Sequence, residues 1–145
     1  MITRCDHLGI QVRDIERSIE FYRDALGFDL LARFQKSEPY LQRLVGYPGV
    51  ELDIAVLRIP GSPVELEILE YHNVARAPVD PATANPGTAH ICLFVSDFDA
   101  LHRRLRARGT RFVSDVQVST AGPVAGRRLV YLLDPDGIRV ELVEN

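Results

Sequence analysis

The chain has 145 residues, of which 46% are hydrophobic and 26% are charged, and its formal net charge at pH 7 is −3. This weak acidic charge argues against nucleic-acid binding, which needs a basic surface, and no apolar run approaches the roughly 20 residues that cross a bilayer. The sequence opens without a charged-then-apolar leader. Because its two cysteines, Cys5 and Cys92, form no disulfide framework, we predict a cytoplasmic protein. We also expect a small molecule as its substrate.

The first half of the chain, about residues 4–71, predicts the element order β-α-β-β-β. Apolar and polar residues alternate over 7–12, as in a half-buried strand. Asp14 is a candidate N-cap for the helix that follows, and Gly27 is placed to end that helix. Three further strands are predicted after it, over "FDLLARF", "ELDIAVLRI" and "VELEILEY".

The second half, about residues 88–145, repeats this order after a proline-rich linker over 72–87. A strand at "HICLFV" leads to the candidate N-cap Asp97 and a helix that Gly109 ends. A short strand is expected around "TRFV", and the turn "DPDG" joins two closing strands, "RRLVYLL" and "IRVELVEN".

The two halves match at the positions of their polar residues. A valine follows His7 by five residues and an aspartate follows it by seven, and the same spacing follows His90. Near the two ends, "EILEY" from Glu67 resembles "ELVEN" from Glu141. This internal repeat predicts two structurally similar modules.

The repeated histidines and glutamates are candidates for a metal site. Strand alternation places His7, Glu67, His90 and Glu141 on the faces that do not pack on helices. Taken one by one, such residues are most often solvent-exposed polar groups. Their recurrence at matched positions favours one shared site, because two imidazoles and two carboxylates suit a borderline divalent cation.

The segments "DHLGIQVRDIERSIEFYRDALGF" and "AGPVAGRRLVYLLDPDGIRVELVEN" resemble the vicinal oxygen chelate superfamily. This group includes glyoxalase I, methylmalonyl-CoA epimerase, extradiol dioxygenases, and fosfomycin and bleomycin resistance proteins. The resemblance implies one α+β domain over 1–145, whose two β-α-β-β-β modules form a cupped, barrel-like mixed sheet around a metal-containing cavity. It also implies a homodimer.

The family's metal ligands fall on His7, Glu67, His90 and Glu141 of this chain. Glu65 shares the predicted face of Glu67 and is an alternative ligand. The implied cofactor is one divalent ion, which these ligands would accept as Ni, Co, Mn, Fe or Zn.

The resemblance favours a metal-dependent isomerase, epimerase or lyase of the glyoxalase type. Such an enzyme removes a proton beside a metal-bound carbonyl and passes through an enediolate. Glu141 and Glu67 are then the candidates for catalytic base and acid.

Two other functions and one loop stay open at this point. An Fe(II)-dependent extradiol-type dioxygenase would use two histidines and one carboxylate, and a metal-free resistance protein would only bind a small molecule. In the loop over 37–49, Tyr40, Leu44 and Tyr47 are candidate substrate-binding residues of a lid. The alternative for this loop is a surface turn with a short helix packed on the sheet.

Overall fold

The computed structural model describes residues 1–145, which divide into two compact units, Met1–Ala77 and Pro78–Asn145. Each unit contains one four-stranded mixed sheet and follows the order β-α-β-β-β. The α+β class and the repeated module are therefore as predicted. None of the helices has the length and apolar composition needed to cross a membrane.

The first unit builds its sheet in the strand order β1-β4-β3-β2, with β1 parallel to β4 and the other pairs antiparallel. The predicted caps of its first helix are confirmed. The Asp14 carboxylate accepts a hydrogen bond from the Arg17 backbone N–H, and Gly27 adopts a φ of +84°, which favours glycine. The elements are β1 (His7–Gln11), α1 (Ile15–Ile19), a π-helical segment (Glu20–Ala25), β2 (Asp29–Lys36), α2 (Pro39–Val45), β3 (Glu51–Arg58) and β4 (Glu65–His72).

One face of this sheet packs against α1. The Glu70 carboxylate on β4 accepts a hydrogen bond of 2.9 Å from the Ile15 backbone N–H at the first turn of α1. Along β4, side chains point alternately to the α1 side and to the opposite face. Leu66 and Ile68 point to the α1 side, where both are fully buried. Glu67 consequently faces away from α1.

The second unit repeats the same topology, in the strand order β5-β8-β7-β6 with β5 parallel to β8. The Asp97 carboxylate caps α3 by accepting a hydrogen bond of 3.0 Å from the Ala100 backbone N–H, as predicted. Gly109, with a φ of +74°, ends the helix. The elements are β5 (His90–Val95), α3 (Phe98–Ala107), β6 (Gln117–Val118), β7 (Arg128–Leu133) and β8 (Arg139–Glu144).

The short strand expected around residues 110–113 is reduced to a single bridge. Phe112 forms only an isolated bridge with Leu132, and the edge strand β6 follows later, at Gln117–Val118. The Phe112 ring lies 4.8 Å from the His102 ring and under the Arg106 guanidinium, both on α3. The backbone on either side of Phe112 still pairs with β7, because the Val113 N–H donates to the Tyr131 carbonyl and the Leu133 N–H donates to the Arg111 carbonyl, both at 2.9 Å.

The segment between β2 and β3 contains the short helix α2, one of the two alternatives for this loop. Pro39 occupies its first turn, and Gly46 ends it in the left-handed conformation, with a φ of +79°. By contrast, no helix or strand lies between His72 and His90, where the sequence predicts the linker.

Candidate functional site

His7 and Glu67 meet on the first sheet, on the face away from α1. The strands β1 and β4 are parallel, and the Cα atom of His7 is paired with that of Glu65. Glu67, two residues further along the same face, brings its Oε2 to 3.5 Å from His7 Nε2. The structure thus places Glu67 beside His7, and no such contact joins His7 to Glu65.

The other ring nitrogen of His7 faces a second carboxylate. Asp6 Oδ2 lies 3.3 Å from His7 Nδ1. A carboxylate at one ring nitrogen of a histidine orients the ring and leaves the other nitrogen available as a ligand. Asp6 therefore supports a metal-ligating role for His7 Nε2.

His90 and Glu141 form the same arrangement on the second sheet. The Cα atom of His90 is paired with that of Arg139 on the parallel strand β8, and Glu141 again follows two residues later. Its Oε2 lies 3.4 Å from His90 Nε2. The side chains of Glu67 and Glu141 are 22% and 15% exposed, so both carboxylates are largely shielded by protein.

The two pairs fit the chemistry of divalent-metal ligands. Ligand atoms about 2.1 Å from one ion lie about 3.0 Å apart at a right angle and about 3.4 Å apart at the tetrahedral angle. The observed nitrogen-to-oxygen distances of 3.5 and 3.4 Å suit adjacent positions on an ion. No group of three or more His, Cys, Asp or Glu side chains is arranged to hold a metal ion.

Two residues that the sequence did not identify as functional surround Glu141. Tyr131 on β7 and Cys92 on β5 are its cross-strand neighbours. The Tyr131 hydroxyl also lies 3.3 Å from His90 Nε2, with the two rings in a T-shaped arrangement. In the second unit the His–Glu pair therefore lies in a four-residue cluster.

The cluster perturbs the titration of both neighbours. Although Cys92 as a whole residue is exposed, desolvation of its thiol, with the Glu141 charge second, raises the pKa of Cys92 to about 11. Burial and the same charge raise the pKa of Tyr131. Both groups are consequently hydrogen-bond donors at neutral pH, since each keeps its proton.

In the first unit, α2 covers part of the sheet face that carries Glu67. Leu41 of α2 is buried in an apolar cluster on this face, and the Tyr47 ring makes a T-shaped contact of 6.1 Å with the Tyr71 ring. Burial, and then the charges of Tyr47 and Glu67, raise the pKa of Tyr71. The aromatic pair is thus within electrostatic reach of Glu67. The other members of the cluster are Val50, Leu52, Ile54 and Leu69.

The candidate substrate-binding residues lie on or just after α2 and are open to solvent. Tyr40, Leu44 and Tyr47 are all exposed, whereas Leu41 between them is 6% exposed. The helix therefore has one side fixed to the sheet and a second, apolar side available for contact.

Two β-α-β-β-β units, each with a His–Glu pair on its sheet, define a duplicated scaffold. The chain belongs to the Glyoxalase/Bleomycin resistance protein/Dioxygenase superfamily, whose family model matches residues 4–142.

Curated relatives of the chain include enzymes of two kinds. It is 30% identical over 141 residues to a 2-epi-5-epi-valiolone epimerase from an Actinomyces species, and the alignment covers 94% of this chain and 76% of the relative. It is 31% identical over 142 residues to a lactoylglutathione lyase from Haemophilus influenzae, covering 96% and 90% of the two chains.

Solved structures agree with the fold over the whole chain. A glyoxalase family protein from Bacillus cereus superposes with a TM-score of 0.82 at 23% identity, covering 99% of this chain and 95% of that one.

Proposed function

We propose that the protein is a metal-dependent isomerase, epimerase or lyase of the glyoxalase type, and that His7, Glu67, His90 and Glu141 bind its divalent ion. The observation that carries the proposal is the duplicated pair: in each unit a histidine Nε2 and a glutamate Oε2 lie within 3.5 Å of each other. An isolated surface pair would have no reason to recur in the same strand register in both units.

A bound divalent ion is a Lewis acid that stabilises the negative charge arising on a substrate carbonyl oxygen when the adjacent C–H bond loses its proton. The protein's own part is to orient the carbonyl compound and to move that proton. Glu67 and Glu141 are the candidate groups, because each presents a largely shielded carboxylate beside a histidine. Returning the proton to the same carbon gives epimerisation, and returning it to the neighbouring carbon gives isomerisation.

The relatives support this reaction class from two sides. One is named as an epimerase and the other as a lactoylglutathione lyase, and both match nearly the whole of this chain at about 30% identity. Epimerisation of this kind and glyoxalase-type chemistry share the removal of a proton next to a carbonyl.

We further propose that Tyr40, Leu44 and Tyr47 contact the substrate. They give α2 and the turn after it an apolar, exposed side, while Leu41 fixes the helix on the sheet face that carries Glu67. An apolar wall beside polar ligands is typical of small-molecule sites.

The test begins with the metal. The purified protein is stripped with a chelator and reloaded separately with Ni, Co, Mn, Fe or Zn. Incorporation of solvent deuterium is then followed in methylmalonyl-CoA, in the glutathione hemithioacetal of methylglyoxal, and in 2-epi-5-epi-valiolone. We expect metal-dependent exchange in at least one of these compounds.

Other outcomes point to different functions. A metal-loaded protein that exchanges none of the three would contradict these assignments, and oxygen uptake with a catechol would instead indicate a dioxygenase. Failure to bind any of the five metals would indicate a binding protein.

Two single-residue variants test the ligand assignment. Changing His90→Ala should weaken metal binding strongly, because it removes a ligand nitrogen. Glu65→Gln is the matched control: it changes a carboxylate on the strand and face of Glu67 that does not contact His7, so it should bind metal as the wild type does.

A further inference from the structure

The residue two positions before each glutamate has the opposite charge in the two units. In the first unit it is Glu65, whose Cα atom is paired with that of His7. In the second unit it is Arg139, whose Cα atom is paired with that of His90. Because side chains alternate along a strand, each of these residues lies on the same face as the glutamate that follows it. The second His–Glu pair therefore has a cation on its face where the first has an anion.

The charge of Arg139 is not balanced by a carboxylate of the protein. Its one side-chain hydrogen bond, of 2.7 Å, runs from Nη1 to the carbonyl oxygen of Pro81 in the linker. A guanidinium has five N–H donors, so most of them remain available. Arg139 is also partly buried, and a cation that is partly withdrawn from water is stabilised by a bound anion.

The arginines on the helix faces of the two sheets are bound differently. Arg33 on β2 donates to the Asp53 carboxylate at 2.9 Å, and Arg128 on β7 donates to the Glu144 carboxylate at 2.7 Å. Each of these arginines also pairs with a carboxylate on the helix beside it. The fold thus supplies counter-ions to the arginines that face its helices, and leaves Arg139, on the face of a His–Glu pair, available to an anion from outside.

Resting on the proposed function, we infer that Arg139 determines specificity by binding an anionic group of the substrate, a carboxylate or a phosphate. The planar guanidinium can donate two parallel hydrogen bonds to such a group. Two residues along a strand span about 7 Å, so an anionic group a few bonds from the reacting carbon can reach Arg139 while the carbonyl lies at Glu141. The bond to Pro81 holds the guanidinium in place before the substrate binds, which favours affinity. The substrate class is therefore an anionic carbonyl compound.

The first experiment compares compounds of different charge on the metal-loaded wild type. Methylmalonyl-CoA and the glutathione hemithioacetal of methylglyoxal are anionic, whereas 2-epi-5-epi-valiolone is uncharged. We expect deuterium exchange in at least one anionic compound, with a kcat/KM at least about 10-fold above that of the uncharged one. A preference for the uncharged compound would overturn this inference and leave the proposed function intact. Failure to bind metal, or exchange in none of the three, would overturn both.

The second experiment removes the charge. With the preferred anionic compound, Arg139→Gln should raise KM by about 10–100-fold, and its metal affinity, from competition with a chelator, should equal that of the wild type. Arg139→Lys keeps the positive charge and should bring KM back to within about 10-fold of the wild type. Acetate and inorganic phosphate, added as competitors at constant ionic strength, separate the two anions: the one that Arg139 binds should raise the KM of the wild type but not that of Arg139→Gln.

Arg127→Gln is the matched control. Arg127 also donates to a backbone carbonyl, that of Glu144 at 3.3 Å. It lies six residues before Leu133, which is paired with Arg139, and this places it about 20 Å along the strand from that position. Its substitution should leave KM unchanged. An unchanged KM in Arg139→Gln, or an equal rise in Arg127→Gln, would overturn the inference. A loss of metal affinity and of thermal stability in Arg139→Gln without a change in KM would assign Arg139 a structural role through Pro81 instead.

Discussion

Leu41 is predicted to be the anchor that fixes α2 on the sheet of the first unit. The helix spans only Pro39–Val45, and a helix this short is not stable on its own in water. Its stability must therefore come from packing. Leu41 is 6% exposed and packs in the cluster with Val50, Leu52, Ile54 and Leu69.

The burial of Leu41 sets the loss of stability expected for Leu41→Ala. Removing a buried leucine side chain down to alanine costs about 2–5 kcal/mol of unfolding free energy. Leu41 lies on a short helix at the sheet surface that can relax into the space left behind, which places the expected loss in the lower part of this range, at about 2–3 kcal/mol. The T-shaped contact of Tyr47 with Tyr71 contributes about 0.5–1.5 kcal/mol to the free energy of unfolding. This contact remains in Leu41→Ala.

The assay is urea unfolding of the wild type, Leu41→Ala and Leu44→Ala. Leu44 lies on the same helix but is 76% exposed, so its substitution should change the unfolding free energy by no more than about 0.5 kcal/mol. Leu41→Ala should also speed amide hydrogen exchange at Gly46 and Tyr47, whose N–H groups bond to the Gln42 carbonyl. Equal stability of the two variants would refute the packing argument.

Two further predictions concern the second unit. His102 Nε2 is buried without a hydrogen-bond partner, while the His102 ring packs on Phe112. His102→Phe should therefore raise the free energy of unfolding by about 1–2 kcal/mol. A variant that unfolds at a lower temperature than the wild type would contradict this prediction. Arg128 bonds to the carboxylates of Asp99 and Glu144 and lowers the pKa of both. The contribution of Asp99 and Glu144 to the free energy of unfolding should be complete above their unfolded-state pKa values of about 4. It should be lost as the pH falls through their folded-state pKa values, which are lower. Urea unfolding between about pH 3 and pH 7 should show this loss in the wild type and a flatter profile in Arg128→Gln; identical profiles would refute it.

The parts of the fold that the sequence predicted depend on local signals. Asp14 and Asp97 cap their helices because a carboxylate one residue before a helix reaches the free N–H groups of its first turn. The β-α-β-β-β order was predicted from strand alternation and helical spacing, which act over a few residues.

The edge strand and α2 depend on contacts between distant parts of the chain. At Phe112 the expected strand is reduced to a single bridge with Leu132, and the edge strand forms where Gln117 and Val118 pair with β7. The residues of α2 carried usable signals, Pro39 at its start and Gly46 after its end. Whether such a short helix forms is decided by the cluster beneath it, which only the strand register brings together.

The candidate site, too, was predicted in part from the sequence and depends in part on strand pairing that the sequence does not reveal. The repeat identified the histidines and glutamates, because matched spacing can be recognised without knowing the fold. Tyr131 has no counterpart in that repeat: the equivalent position beside Glu67 is Val56. Its place next to His90 follows from the pairing of β7 with β8, which spacing along the chain does not reveal.

The difference between the surroundings of the two His–Glu pairs follows from where the scaffold constrains the sequence. On β4 and β8, the side chains on the helix side form the cores of the two units, and Leu66, Ile68, Val140 and Leu142 are almost completely buried. The positions beside the glutamates lie on the opposite face, where a change alters the site without removing packing against the helices. A duplicated module can therefore keep its His–Glu pair, which the parallel register of its first and last strands fixes, while the two flanking positions change. In this chain those positions carry Gly9 and Val56 in one unit and Cys92 and Tyr131 in the other, so that two His–Glu pairs of nearly equal geometry have different neighbours.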